Sequence, residues 1–118
     1  MRQIAETKTE PITIMYAPNG FVVRLTGEIG QAAAQELREQ LTWLAALSPR
    51  HLILDLSAVK TIDPQCFEVF AELRGSMVKQ GGEVRLAGMN AQVRADLQAT
   101  KLQRLFRIYP SMMTAVCW

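Results

Sequence analysis

The chain has little of what most catalytic and membrane functions require. It carries a single histidine and two cysteines, Cys66 and Cys117, among 118 residues. Two thiols do not make a disulfide framework, so the reading is a reducing, cytoplasmic setting with both thiols free. A formal net charge of +2 is too small to gather nucleic acid or a lipid surface by its field alone. Basic residues interleaved with aromatics are also missing, so no nucleic-acid partner is expected. No apolar run approaches the roughly 20 residues that cross a bilayer, which excludes direct membrane insertion. The opening Met1-Arg2-Gln3-Ile4-Ala5-Glu6 has no apolar core of a signal peptide. Glycine-rich phosphate loops, metal-ligand spacings, paired carboxylates and serine triads are all missing, so the expectation is a non-enzyme without cofactor or metal.

What is present is ordinary globular composition, 49% apolar and 20% charged, enough for one domain over residues 1–118 with a real core. Residues 1–10 are mostly polar and are expected to be a loosely ordered lead-in. Ile12-Thr13-Ile14-Met15-Tyr16 and Phe21-Val22-Val23-Arg24-Leu25 are β-rich runs around Ala17-Pro18-Asn19-Gly20, a hairpin signal. Ala33, Leu37, Leu41, Leu44 and Leu47 recur at helical spacing over 31–47, and Ser48-Pro49 ends that helix. His51-Leu52-Ile53-Leu54-Asp55-Leu56 is a short continuous apolar run, the pattern of a strand covered on both faces. A second helix over Asp63–Lys79 places Phe67, Phe70, Leu73 and Met77 on one side, and Gln80-Gly81-Gly82 stops it. A strand at Glu83-Val84-Arg85-Leu86-Ala87 follows. Asn90 caps a short helix carrying Val93 and Leu97, Phe106-Arg107-Ile108-Tyr109 is a last strand, and a final helix runs to Trp118. The order β-β-α-β-α-β-α-β-α calls for right-handed crossovers and a mixed, mostly parallel sheet of about five strands, with about four helices mainly on one face.

The most informative stretch is Thr61-Ile62-Asp63-Pro64-Gln65-Cys66-Phe67. Asp63 is placed to cap the second helix by accepting from its first free backbone N–H groups. Pro64 takes the first helical position, where its missing N–H costs nothing. Helix starts attract anions, yet the residue after this cap has no hydroxyl, thiol or amine.

These residues resemble a STAS domain, the fold of bacterial anti-sigma-factor antagonists and of the cytoplasmic tail of sulfate transporters. The resemblance runs from about Ile12 to Ala115. It rests on Val23-Arg24-Leu25-Thr26-Gly27-Glu28-Ile29, on Leu52-Ile53-Leu54-Asp55-Leu56-Ser57-Ala58-Val59 with Ile62-Asp63, and on Gly82-Glu83-Val84-Arg85-Leu86-Ala87-Gly88. Val93-Arg94 and Leu105-Phe106-Arg107-Ile108-Tyr109-Pro110-Ser111 complete it. In the regulatory members the second helix opens Asp-Ser-Ser-Gly or Asp-Ser-Thr-Gly, and a partner kinase phosphorylates the first hydroxyl. By that resemblance Asp63 is kept, while Pro64 stands at the phosphoacceptor, Gln65 after it, and Cys66 in place of the glycine. A common Gly-Glu-Leu-Asp is here Gly27-Glu28-Ile29-Gly30, so a carboxylate is gone as well. Proline has no nucleophile, so the added charge of about −1.5 to −2 that a phosphate brings cannot appear at position 64.

The resemblance implies a protein–protein interaction module that binds a regulatory partner, an anti-sigma factor or kinase-type regulator. Asp63, Pro64, Gln65, Cys66 and Phe67 form the centre of the expected surface, flanked by Glu28, Gly30 and Gln31. Two other roles are implied for STAS-like chains: a small cytoplasmic subunit of a phospholipid-transporting ABC assembly, and a scaffold of a homomeric sensory complex. Self-association draws on the apolar Met112, Met113, Val116 and Trp118.

Several residues carry a plainer reading beside the functional one. A helix start can lower the Cys66 thiol pKa and make it reactive, though a small residue filling the glycine's place is the simpler account. Cys66, His51 and Asp55 do not make a nucleophilic set, because His51 opens the strand that Cys66 lies beyond; His51 reads as a surface strand-end residue. Ser57 and Thr61 are the nearest alternative phosphoacceptors, in a connection where turn hydrogen bonding is the usual role. Arg85, Arg94, Lys101, Arg104 and Arg107 make the last third basic, a solvated face or a site for an acidic partner or anionic lipid.

Overall fold

The structure is a computed structural model that describes residues 6–9 and 12–115. Its elements are β1 (Glu6–Thr9), β2 (Ile12–Ala17), β3 (Gly20–Ile29), α1 (Gln31–Ala45), β4 (His51–Ile62) and α2 (Pro64–Lys79). Then come β5 (Glu83–Ala87), α3 (Ala91–Thr100), a 3-10 turn (Gln103–Leu105), β6 (Arg107–Tyr109) and α4 (Met112–Ala115). Six strands form one sheet in sequence order, β1-β2-β3-β4-β5-β6. β1, β2 and β3 pair antiparallel, and β3 through β6 pair parallel.

This is the expected mixed, mostly parallel sheet, with one strand more. Residues 6–9, expected within a loose lead-in, pair with β2 from Glu6↔Met15 to Thr9↔Ile12. Residues 1–5, 10 and 11 lie outside the described residues, as do Val116, Cys117 and Trp118 of the expected final helix.

Because each parallel strand is laid beside the one before it, three right-handed crossovers put α1, α2 and α3 on the same face. Beneath them Ile12, Ile14, Val23, Leu25, Leu52, Leu54, Leu56, Val84 and Leu86 join Leu37, Leu41, Leu44, Phe67, Phe70, Leu73, Met77, Val93 and Leu97 in the main core. The opposite face holds a second, smaller cluster of Val22, Ile53, Ala87 and Ala115, covered by α4.

β3 and β4 run past their expected ends, β3 to Ile29 rather than Leu25, and α1 stops short of its own. α1 stops at Ala45, so Leu47 is half exposed and Ala34 and Ala45 are buried instead. β4 runs 12 residues, to Ile62 rather than Leu56. β5 matches only its first half, from His51↔Glu83 to Asp55↔Ala87, and the second half, polar at Ser57, Lys60 and Thr61, pairs with β3 alone through two register shifts. Those shifts need backbone freedom: Gly27 sits at φ 87. Across from the bulge, Gly88 approaches Ser57 so closely that a Cβ would lie 2.7 Å from the Ser57 Cβ, which reserves that position for glycine.

The β2–β3 hairpin forms as expected, with Asn19 in the left-handed region at φ 62. The Asn19 carbonyl then accepts from the N–H groups of Arg50 and His51 at 2.8 and 3.2 Å, anchoring the start of β4.

Candidate functional site

At the C-terminal edge of the parallel strands, two helix starts lie side by side. β4 ends at Ile62, and Asp63 turns out of it with φ −69 and ψ 135. Its Oδ1 accepts from the Gln65 N–H at 2.8 Å, and its carbonyl from the Cys66 N–H at 2.9 Å. With Pro64 at the first helical position, α2 starts as the sequence predicts. The Asp63 N–H donates to the Ile29 carbonyl at 2.8 Å. That one bond ties the end of β3 to the start of α2, and therefore Glu28, Gly30 and Gln31 to Asp63, Pro64 and Gln65. Gly30 caps α1 with no side chain, and its carbonyl accepts from the Ala33 N–H at 3.1 Å.

The structure corrects the expected surface at two positions. Pro64 and Gln65 are exposed and Asp63 is half-buried, while Cys66 and Phe67 are 0% exposed and belong to the main core. Each helical residue turns about 100° from the last. Positions 66, 67, 70, 73 and 77 therefore face the sheet, and 64, 65 and 68 face out. Phe67 meets Phe70 edge to face, ring centroids 6.0 Å apart. Burial, with the Asp63 charge adding to it, pushes the Cys66 thiol from 9.0 up to about 11. Both disfavour a thiolate and outweigh the helix-start field. Cys66 is a buried core thiol whose surroundings disfavour the thiolate.

Glu28, Gly30 and Gln31 are all exposed. Gln31 and Gln65 lie across a cavity of about 240 Å³, further lined by Ala34, Gln35, Arg38, Glu68 and Val69. Arg38 and Val69 also line a second hollow of about 100 Å³, with Thr42, Glu72 and Ser76. The two make one groove between α1 and α2. It is bridged by Arg38, whose Nε and Nη2 donate to the Glu72 carboxylate at 3.1 and 3.2 Å. Gln35, Arg38 and Glu68 were not among the expected site residues. Their signal was in the chain: Gln31, Gln35 and Arg38 recur at i, i+4, i+7, and Gln65, Glu68 and Glu72 at i, i+3, i+7. The polar part of the walls is amides, Glu68, the hydroxyls of Thr42 and Ser76, and the Arg38–Glu72 ion pair. Such a surface can hydrogen-bond a partner, and Pro64 and Gln65 offer no hydroxyl or thiol to a phosphoryl donor.

The other candidates fall elsewhere. Ser57 and Thr61 are both in β4 rather than in a connection, and both are exposed. Ser57 donates from N–H and Oγ to Asp55 Oδ1, at 3.0 and 2.7 Å. Asp55 is buried and lies 3.9 Å from the Arg24 guanidinium. His51 and Ile62 are the two ends of the 12-residue β4, so some eleven steps of about 3.3 Å keep His51 from the Cys66 end. His51 is half-buried, not a surface residue, with Nδ1 3.3 Å from Glu83 Oε1. Arg85 is also corrected, from solvated basic face to a buried residue. Among the described residues no group of His, Cys, Asp and Glu could hold a metal ion, and no helix is long and apolar enough to cross a membrane.

This arrangement of sheet, helices and paired helix starts has relatives. The STAS domain matches residues 11–115, and the chain belongs to that family. A crystal structure of an anti-sigma factor antagonist from Mycobacterium paratuberculosis is similar at 26% identity and TM-score 0.78, over 89% of this chain and 92% of that one. The Bacillus protein SpoIIAA in its unphosphorylated form shares the fold at 15% identity and TM-score 0.79, over 89% and 92%. A sulfate transporter family protein from Wolinella succinogenes shares it at 20% identity and TM-score 0.69, over 80% of each chain. No curated protein sequence matches the chain.

Proposed function

We propose that this chain is a non-enzymatic docking module of the anti-sigma factor antagonist kind, acting in the cytoplasm. It binds a regulatory protein, an anti-sigma factor or kinase-type regulator, through the start of α2 and the groove beside it. The observation that carries this reading is the Ile29–Asp63 hydrogen bond. It holds the exposed Glu28, Gly30 and Gln31 beside Asp63 and the exposed Pro64 and Gln65 as one surface at the mouth of the α1/α2 groove. The contact residues are Asp63, Pro64, Gln65, Glu28, Gly30 and Gln31; Cys66 and Phe67 support them from beneath. Pro64 makes docking independent of phosphoryl transfer at that position, since no hydroxyl is there to accept the group.

The test is affinity capture with the wild type, Gln65→Arg and Gln31→Arg, followed by identification of the bound proteins. A bulky charge at either position should release a regulatory partner that the wild type retains. Retention of the same partners by both variants would show that docking lies elsewhere. Incubation with ATP and the captured kinase should leave residues 63–66 unmodified, and phosphate mapped to Ser57 or Thr61 would overturn the ungated reading.

A further inference from the structure

The far end of α2 shapes a second concavity, unconnected with the groove beside its start. A cavity of about 250 Å³ is lined by Arg74 and Val78 of α2, Val84 of β5, and Arg104, Leu105, Phe106 and Arg107 leading into β6. Val84 and Phe106 are buried and make an apolar floor, and three guanidinium groups stand around it. Among the described lining residues Glu83 is the one carboxylate, and it is already engaged. Its Oε1 accepts from Arg85 at 2.7 Å, and Arg107 lies 3.4 Å from its Oε2. Burial would raise the Glu83 pKa, yet the Arg85 hydrogen bond and the charges of Arg85, Arg107 and His51 hold it below 4.5. Among the described residues, neither Arg74 nor Arg104 takes part in an ion pair. The cavity therefore keeps an uncompensated positive rim over an apolar floor.

We propose that this cavity is a second docking site that takes an acidic segment of a partner protein, its carboxylates on Arg74, Arg104 and Arg107 and an apolar side chain on Val84 and Phe106. Charge complementarity argues for an anionic occupant, and arginine's planar fork suits carboxylates, which it grips in pairs of hydrogen bonds. The cavity is smaller than the roughly 300–1,000 Å³ that encloses a small molecule, which favours a short stretch of chain. The apolar floor, sunk between the cations, has no use for a lipid headgroup, which needs only a charged plane. No residue lines both this cavity and either hollow of the α1/α2 groove, and Arg74 is 9 residues beyond Gln65 on α2, about 14 Å at 1.5 Å per residue. The two sites can thus be filled independently.

The experiment is selection of a random hexapeptide library on the immobilised full chain, with Arg74→Glu/Arg104→Glu as the parallel bait. Peptides with aspartate or glutamate flanking an apolar residue should be enriched on the wild type and not on the variant. By fluorescence anisotropy the selected peptide should bind Arg104→Glu at least tenfold more weakly than wild type, and Gln65→Arg equally well. Arg104 is exposed, and an unchanged melting temperature would exclude unfolding as the cause. The proposal is overturned by no acidic enrichment, by equal enrichment on the variant, or by phosphatidylserine vesicles that sediment with the wild type and not the variant while no peptide binds. Failure here leaves Gln65→Arg capture untouched, so the two readings stand or fall separately.

Discussion

Under α1, α2 and α3 the sheet presents Ile14, Val23, Leu54 and Leu86, sealed by a large apolar cluster that includes the Cys66 thiol. On its other face Val22, Ile53 and Ala87 share the surface with Arg24, Asp55 and Arg85, and a single turn of helix, α4, is the cover. Arg85 holds that cover: its Nη1 donates to the Ala115 carbonyl at 2.7 Å, its Nη2 to Glu83, and its guanidinium lies 5.3 Å from the Tyr109 ring centroid. One face is held by packing, which is non-directional and large in sum. The other is held by a few directed polar contacts, each worth little net but expensive to leave half-made. The two faces should therefore fail differently.

The largest effect is expected on the packed face. Phe67→Ala removes a fully buried ring and should cost about 3–5 kcal/mol, a large share of the ~5–15 kcal/mol a domain has. Its outward neighbour Gln65→Ala should stay within about 0.5 kcal/mol. Urea denaturation of both variants decides it, and equal losses would mean that the helix phase at residues 64–68 is wrong.

The same face can be probed through Cys66. Its folded pKa is raised, so the stability tied to it is intact below pH 9 and is lost as pH rises toward about 11. In a Cys117→Ser background, iodoacetamide at pH 8 should alkylate the native protein roughly a hundredfold more slowly than the urea-unfolded chain, since only an exposed thiolate reacts. Rapid native alkylation would place the thiol outside the core.

On the polar face, Arg85→Leu should cost about 1–3 kcal/mol, because the Ala115 carbonyl loses its donor. Glu83 keeps Arg107 and His51 as neighbours, which holds the loss to that range. The distinguishing readout is hydrogen exchange: amides of α4 should lose protection while those of α2 keep theirs. Uniform loss would show that the two faces are one cooperative unit.

How much of this was legible in the chain follows the same division. The α2 start was readable because Asp63 and Pro64 act through local backbone geometry, and the crossover helices because apolar spacing states their phase. The burial of Cys66 and Phe67 was written in that phase too, but a contiguous motif hides the turn per residue. The second half of β4 was not legible: Ser57, Lys60 and Thr61 look like a loop until β3 is there to pair with them. Arg85 alternates with Val84 and Leu86 as a solvated strand residue would. Only the return of α4 over that face buries it. The groove needed α1 and α2 set side by side, which no local pattern states.

The cap at Asp63 lies between the two regimes, a polar contact that fixes the start of a packed helix. Asp63→Ala should cost about 1 kcal/mol by freeing the Gln65 N–H, whereas Asp63→Asn, still an acceptor, should restore most of it. A shift in melting temperature for the alanine variant alone checks this; equal losses would mean that the charge matters and the hydrogen bond does not.

The smallest stability effect separates folding from binding. Arg38 and Glu72 pair in good geometry, but their side chains are 46% and 59% exposed. Such pairs contribute at most about 1 kcal/mol, and commonly less, because solvent screens them and ordering two long side chains costs entropy. Arg38→Ala should therefore leave urea denaturation within about 0.5 kcal/mol of wild type. Yet Arg38 lines both hollows of the α1/α2 groove, so its removal should weaken partner capture along with Gln65→Arg. A variant that folds as the wild type does and still captures every partner would confine docking to the helix starts. One that loses capture at full stability would extend the docking surface down the groove.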